Sequence, residues 1–421
     1  MIRRMRSRNP APAFTAACAL TLLLASAAFG QQRAADSPPS GCNDAPASPV
    51  SYVSLPGHPF GTVASRDGCW LFVSLTTANP KSHDGVALLR RSRGRVELVK
   101  VFPVEGEPTG MTLTHDGKLL VVADAEYVVF MDAARMIAGD SADPILGYLR
   151  DNDDYAGSVY VNTTADDRLL FVSDEAAEAV SVIDLQKARA EGFKESAIIG
   201  KIPVGRAPIA LTFSPDGRWL YTTSQIAPEG YKWPVDCKPE GAPDPSKAAP
   251  RYPQGAIIVV DVERARRDPA NAVAAKVPAG CSPVRMAITP GGERVFVTAR
   301  NSNALLGFDT SKFAEDPAHA LVGTVPVGTS PVGVAVANEG KLVLVTNSNR
   351  FSGDRAARQT LTVIDVSKVG AGASAILGSV PAGAFPREFG ASPDGRTLFV
   401  ANYNSNELEV IDLARLPLEK K

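Results

Sequence analysis

Residues 392–412 read SPDGRTLFVANYNSNELEVID, and the fold is decided by how this stretch is parsed. Ser392-Pro393-Asp394-Gly395 has the chemistry of a tight reversal, because Asp bonds its own backbone and Gly accepts positive φ without steric cost. Phe399-Val400-Ala401-Asn402 then continues as a β-rich strand, and after a polar loop a further strand ends at Asp412. The turn dipeptide recurs at Asp67-Gly68, Asp116-Gly117, Asp166-Asp167, Asp216-Gly217, Gly291-Gly292, Glu339-Gly340 and Asp394-Gly395, at spacings of 49, 50, 50, 75, 48 and 55 residues.

The surroundings of each turn repeat as well. A glycine-containing loop (Gly57, Gly106, Gly205, Gly280, Gly328, Gly383) leads into an alternating strand, then come the turn and a second strand. A third strand ends in Asp (Asp184, Asp261, Asp365, Asp412), and a short fourth strand such as KIPVG, 201–205, closes the unit. Asp is a good helix N-cap, so Asp184, Asp261, Asp309 and Asp365 are read as structural caps of short bridging helices. Four strands in about fifty residues, seven times over, predict an all-β fold: a seven-bladed β-propeller of four-stranded antiparallel blades over 50–413. The chain ends after a third strand, while an orphan strand, Ser51–Pro56, precedes the first unit. The last blade is therefore expected to be closed by this N-terminal strand, which leaves no open edge along the ring.

Outside the repeat, Arg3, Arg4, Arg6 and Arg8 precede an apolar run from Thr15 to Phe29 that ends in small residues. This is the pattern of a secretory signal peptide, assigned to residues 1–30. An uncleaved anchor is the alternative, and the run is short of the roughly twenty residues a span needs. Residues 31–49, poor in large apolar side chains, read as a linker, and 414–421 as a C-terminal tail. Without the four arginines the chain carries 40 basic against 45 acidic side chains, which excludes a polycationic nucleic-acid binder. Export leaves Cys42, Cys69, Cys237 and Cys281 in an oxidising compartment. The expected pairs are Cys42 with Cys69 and Cys237 with Cys281, each tying an irregular segment to a neighbouring regular one. No C-x-x-C or His-x-x-x-His spacing supports a metal site.

The stretch 392–412 resembles the YVTN-repeat seven-bladed propellers, a family of exported proteins related to the lactonase-like and quinoprotein-type propellers, and the match covers roughly residues 50–413. Phe385-Pro386-Arg387-Glu388-Phe389 is similar to the propeller lactonases, the phosphogluconolactonase-like relatives. Those relatives carry a histidine after such a Pro-Arg pair, and here the position is Glu388.

In a four-stranded blade, the leading loop and the loop between strands two and three share one face, where ligands should meet the protein. Arg206, Arg285, Arg300, Arg350 and Arg387 fall on that face. Guanidinium forks suit carboxylate or phosphate. Arg285 and Arg387 lie near the starts of innermost strands, so they are expected to converge on an axial mouth, with Arg300 nearby and Glu388, Asn402 and Tyr403 at its rim. Pairing of these arginines with neighbouring acids is the competing reading. The 75-residue unit holds an insertion, 226–254, with Tyr231, Trp233, Tyr252 and Cys237, read as a lid, a partner-binding crest or padding over a blade edge. His58 and His83 lie on the candidate face, whereas His115 sits in a turn and His319 in a short helix. The stretch 151–154 reads as a solvated acidic loop, with a calcium loop as the alternative.

No catalytic motif is found, so the expectation is an exported, monomeric, non-catalytic binding or assembly scaffold without cofactor or metal. Its ligand is an unidentified protein or a small polar or anionic molecule at the axial mouth, with no nucleic acid and no membrane span after signal cleavage. A lactonase-like hydrolase of sugar lactones and an accessory subunit of a periplasmic redox enzyme are the alternatives.

Overall fold

The computed structural model describes residues 41–76, 84–139, 142–151, 155–233, 235–240 and 251–419. The signal-peptide assignment and His83 lie outside them. Seven four-stranded antiparallel sheets form, each running outward in sequence order except the last. The innermost strands of blades 1 to 7 are His58–Ala64, Pro108–Leu113, Ser158–Thr163, Arg206–Phe213, Pro283–Ile288, Pro331–Ala337 and Pro386–Ala391. In blade 7 the outermost place is taken by Val50–Ser54, which pairs antiparallel with Glu407–Asp412 in the register Tyr52 to Glu409. The N-terminal strand thus closes the ring, as the repeat count requires.

The Ser/Thr-x-Asp-Gly turn holds itself by side-chain bonds. Ser214 Oγ donates to Asp216 Oδ1 at 2.5 Å, the Arg218 N–H donates to the same oxygen, and Gly217 takes φ +69. Ser392, Asp394 and Gly395 repeat the arrangement. Asp184 and Asp261 cap their helices through bonds from the backbone N–H three residues on, and Asp309 and Asp365 through the N–H two residues on.

Apolar packing is organised between blades. Seven clusters of buried side chains each straddle one pair of neighbours: Phe72 and Leu88 of blade 1 meet Leu120 and Val122 of blade 2, while Leu71 and Val73 meet Phe399 and Leu408 of blade 7. A twisted sheet has two apolar faces, and only its neighbours cover them. Removing one fully buried ring such as Phe399 should cost about 3–5 kcal/mol.

Two disulfides form, Cys42–Cys69 and Cys237–Cys281. Residues from Gly41 onward lie against blade 1, with the Arg93 N–H bonded to the Gly41 carbonyl at 2.8 Å. Among the described residues no helix is long and apolar enough to cross a membrane.

Candidate functional site

Every innermost strand carries a register shift near its start: between Pro59 and Thr62, Pro108 and Met111, Ser158 and Tyr160, Pro208 and Leu211, Pro283 and Met286, Pro331 and Val334, and Pro386 and Glu388. Proline cannot donate to the ladder, which is why six of these bulges begin at one. A bulge also re-aims the side chains within it. Here the bulged residues Phe60, Arg285 and Arg387 gather around the axis.

Hydroxyls on the second strands fasten these bulges to the next blade. Thr298 Oγ1 accepts from the Arg285 N–H at 3.2 Å and donates to the Val332 carbonyl of blade 6 at 2.7 Å. Thr223 does the same between the Ala210 N–H and the Val284 carbonyl, and Ser74 between the Gly61 N–H and the Thr109 carbonyl. Ala123 and Ala401 occupy the equivalent position in blades 2 and 7. The mouth is therefore built from backbone that is bonded both within and between blades.

Within this frame Arg285 reaches Glu388 across the axis, Nη2 to Oε2 at 2.8 Å, with its guanidinium 4.8 Å from the Tyr160 ring centroid. The competing reading of the sequence therefore holds for Arg285. Burial pushes the Glu388 carboxyl well above its usual range and pulls Arg285 down to about 9, with the Arg300 charge adding to the latter. One short contact opposes two desolvation costs.

Arg387 is different. Its guanidinium carbon lies 3.8 Å from the Phe60 centroid, 5.4 Å from Tyr403 and 5.5 Å from Phe385, a cage of three rings. No carboxylate comes within ion-pair distance among the described residues, and its Nε is buried without a hydrogen-bond partner. Burial lowers its proton affinity well below the ordinary value, and the like charges of Arg285 and Arg350 lower it further. Phe385 holds its ring in place at φ +50, a costly conformation for a bulky residue. Arg350, from the second loop of blade 6, packs on Phe385 from outside at 5.8 Å. His58 stacks on Tyr403 at 4.6 Å, and its Nδ1 lies 2.7 Å from the Tyr403 carbonyl.

The remaining sequence candidates take other roles. Arg300 is buried and held by the insertion, with Nη2 at 2.7 Å from Glu240 and 2.6 Å from Gln225 Oε1. The Cys237–Cys281 bond and the Cys237–Tyr252 bridge fix Glu240 in that place. Beside it opens a groove of about 450 Å³ lined by Arg206, Tyr252, Ser282 and Arg300 among others. Arg206 forms an exposed pair with Glu178 at 3.6 Å. Asn402 lies inside blade 7, its amide donating to Glu409 Oε2 at 2.9 Å. Asp151 is buried, not solvated, and its charge is felt at the equally buried Asp174; residues 152–154 lie outside the described residues. His115 pairs with Asp167, and His319 with Asp316. Asp236, Cys237 and Cys281 are close enough to share a metal, but both sulfurs are used in the disulfide.

Sequence reasoning missed Phe60, Tyr160 and Phe385 as parts of the mouth. For Phe60 and Phe385 the adjoining Pro59 and Pro386 were the available signal, whereas the bulge that carries Tyr160 begins at Ser158 and offered none.

The family model described as "Lactonase, 7-bladed beta-propeller" matches residues 255–415. Among solved structures the chain is similar to the hydrazine synthase of Kuenenia stuttgartiensis, with a TM-score of 0.62 and 18% identity over 86% of this chain and 96% of that one. That degree of identity carries the fold alone. A search of curated proteins finds no match. The chain is thus a seven-bladed propeller whose second half is similar to the lactonase-type family.

Proposed function

We propose that this protein is an exported binding propeller whose axial mouth captures a small dianion, a dicarboxylate or its equivalent, without chemical conversion. The observation that carries this reading is Arg387: a caged guanidinium with no carboxylate partner among the described residues. Charge arithmetic gives the ligand class. Arg285 is paired with Glu388 and Arg300 with Glu240, whereas neither Arg350 nor Arg387 has a carboxylate within ion-pair distance among the described residues, Glu240 and Glu175 acting on Arg350 only from farther off, so two guanidinia are left without a paired carboxylate. The N-terminal charge and hydropathy pattern and the two disulfides support export.

The test is calorimetric titration with succinate, using dimethyl succinate as the uncharged control. Succinate should bind, the ester should not, and Arg387→Gln should weaken succinate by tenfold or more, the scale of a lost charge-assisted contact. Equal binding of succinate to the wild type and to Arg387→Gln refutes the reading. The family match over 255–415 favours one second reading, a lactonase-like hydrolase. Opening of glucono-δ-lactone above the uncatalysed rate, lost in Glu388→Gln, would replace the first reading with the second.

A further inference from the structure

Blade 1 departs from the other six at one corner. In the others the third strand ends in an aspartate that caps a short helix, at Asp132, Asp184, Asp261, Asp309, Asp365 and Asp412. The register puts Arg90 in that place, opposite Trp70 as Asp261 is opposite Trp219. No helix follows. The chain reverses at once through Arg93 and Gly94, both at positive φ, into the outermost strand Arg95–Pro103.

The resulting hairpin reads RRSRGR over 90–95. Arg91 is spent inside, donating to the Gly68 carbonyl at 3.1 Å and to Thr397 Oγ1 at 3.3 Å. Arg90, Arg93 and Arg95 are exposed, and none has a carboxylate within 4 Å among the described residues. With Ser92 and Glu97 they line an open groove of about 540 Å³. Arg90 lies over the Trp70 ring at 5.9 Å and opposite Glu97 in the ladder, and the three guanidinia outnumber that one carboxylate, an arrangement that favours an anionic partner.

A further observation narrows the partner to one: apolar exposure on the adjoining strand, where Leu98 is 38% and Val99 54% exposed, with Lys100 next. Arginine forks for phosphates, flanked by open aliphatic side chains, are the requirements of a lipid interface. We propose that the hairpin of blade 1 is a docking surface for an anionic phospholipid bilayer. The hairpin joins strands three and four, so it belongs to the face of the tight turns. Docking there leaves the axial mouth open to the aqueous side.

The experiment is flotation of residues 31–421, without the signal peptide and its four arginines, with vesicles of phosphatidylglycerol mixed into phosphatidylcholine, against pure phosphatidylcholine, at fixed ionic strength. Those arginines are left out because they would themselves favour the anionic headgroups. The wild type should favour the anionic vesicles. Each guanidinium contributes about fivefold near such a surface, so Arg90→Gln/Arg93→Asn/Arg95→Gln should lower the ratio of the two partition coefficients by about a hundredfold, toward one. Asn is chosen at Arg93 because it tolerates positive φ. Raising salt from 50 to 200 mM should collapse the wild-type ratio, a readout that needs no variant. A wild-type ratio of one, or a ratio unchanged in the triple variant, overturns the proposal. So does binding to soluble heparin that the anionic vesicles cannot compete away, which would point to a polysaccharide.

Discussion

Glu409 offers the sharpest quantitative test of how blade 7 is closed. It sits on the third strand, opposite Tyr52 of the N-terminal strand, fully buried, with one oxygen accepting from Asn402 and the other unpartnered. Burial raises its carboxyl from 4.5 to about 7, against a smaller opposing pull from the Asn402 bond. A carboxyl raised in the folded state binds its proton more tightly there than in the unfolded chain. Its effect on stability is therefore nil below about pH 4.5, and stability is lost as pH rises through 7. The shift of about 2.5 units is worth about 3 kcal/mol in full, of which about 2.5 kcal/mol should fall between pH 5 and pH 8. Glu409→Gln keeps the shape and the bond from Asn402 but cannot ionise. Urea unfolding at pH 5 and pH 8, followed by tryptophan fluorescence, should show the pH-dependent loss reduced by about that amount in the variant. Were Glu409→Gln to retain the wild-type difference between the two pH values, burial of this carboxyl would not be the cause and the reasoning would fail.

Other expectations concern separate parts of the ring. Thr298→Val removes the hydroxyl that links the Arg285 bulge to blade 6 and leaves the Arg285 N–H and the Val332 carbonyl unbonded; a loss of about 2 kcal/mol is expected in urea unfolding. Glu240→Gln frees Arg300 from its internal carboxylate, so succinate affinity should rise by severalfold in calorimetry. Reducing the 27-residue and 44-residue disulfide loops should each cost about 4 kcal/mol on the chain-entropy account, read as a fall in the urea midpoint with dithiothreitol.

The wheel was legible in the sequence because its determinants are local and repeated. Ser392-Pro393-Asp394-Gly395 needs only its own side chains to make the turn, and Asp184 or Asp261 needs only the next helical turn to act as a cap. The mouth was legible only in part. Arg285, Arg387, Glu388 and Tyr403 do meet, since the repeat puts the first three near the starts of inner strands and Tyr403 in the loop after the second strand of blade 7, on the same face. What periodicity cannot show is the bulge, which breaks the alternation by one residue and turns Phe60 toward Arg387. Nor can it show which arginine is already paired. Arg300 and Arg387 look alike in sequence, and their difference arises from Glu240, sixty residues away and delivered by a disulfide-bound insertion.

An unpaired guanidinium at the mouth has a consequence for the protein without ligand. Three ring faces offset part of the desolvation of Arg387, each by about 0.5–2 kcal/mol. Its charge is still opposed by Arg285 and Arg350, and its Nε has no acceptor. A side chain kept for packing alone would be better as methionine, which fills the same cage without charge. Arg387→Met should therefore raise the unfolding free energy of the ligand-free protein, by about 1 kcal/mol, while succinate no longer stabilises it. In the wild type, by contrast, succinate at a hundred times its dissociation constant should add about 2.7 kcal/mol. Paired urea titrations with and without succinate separate the two effects. A methionine variant that is less stable than the wild type by 1 kcal/mol or more would mean that Arg387 holds the mouth together by itself, and the argument that it waits for an anion would be lost.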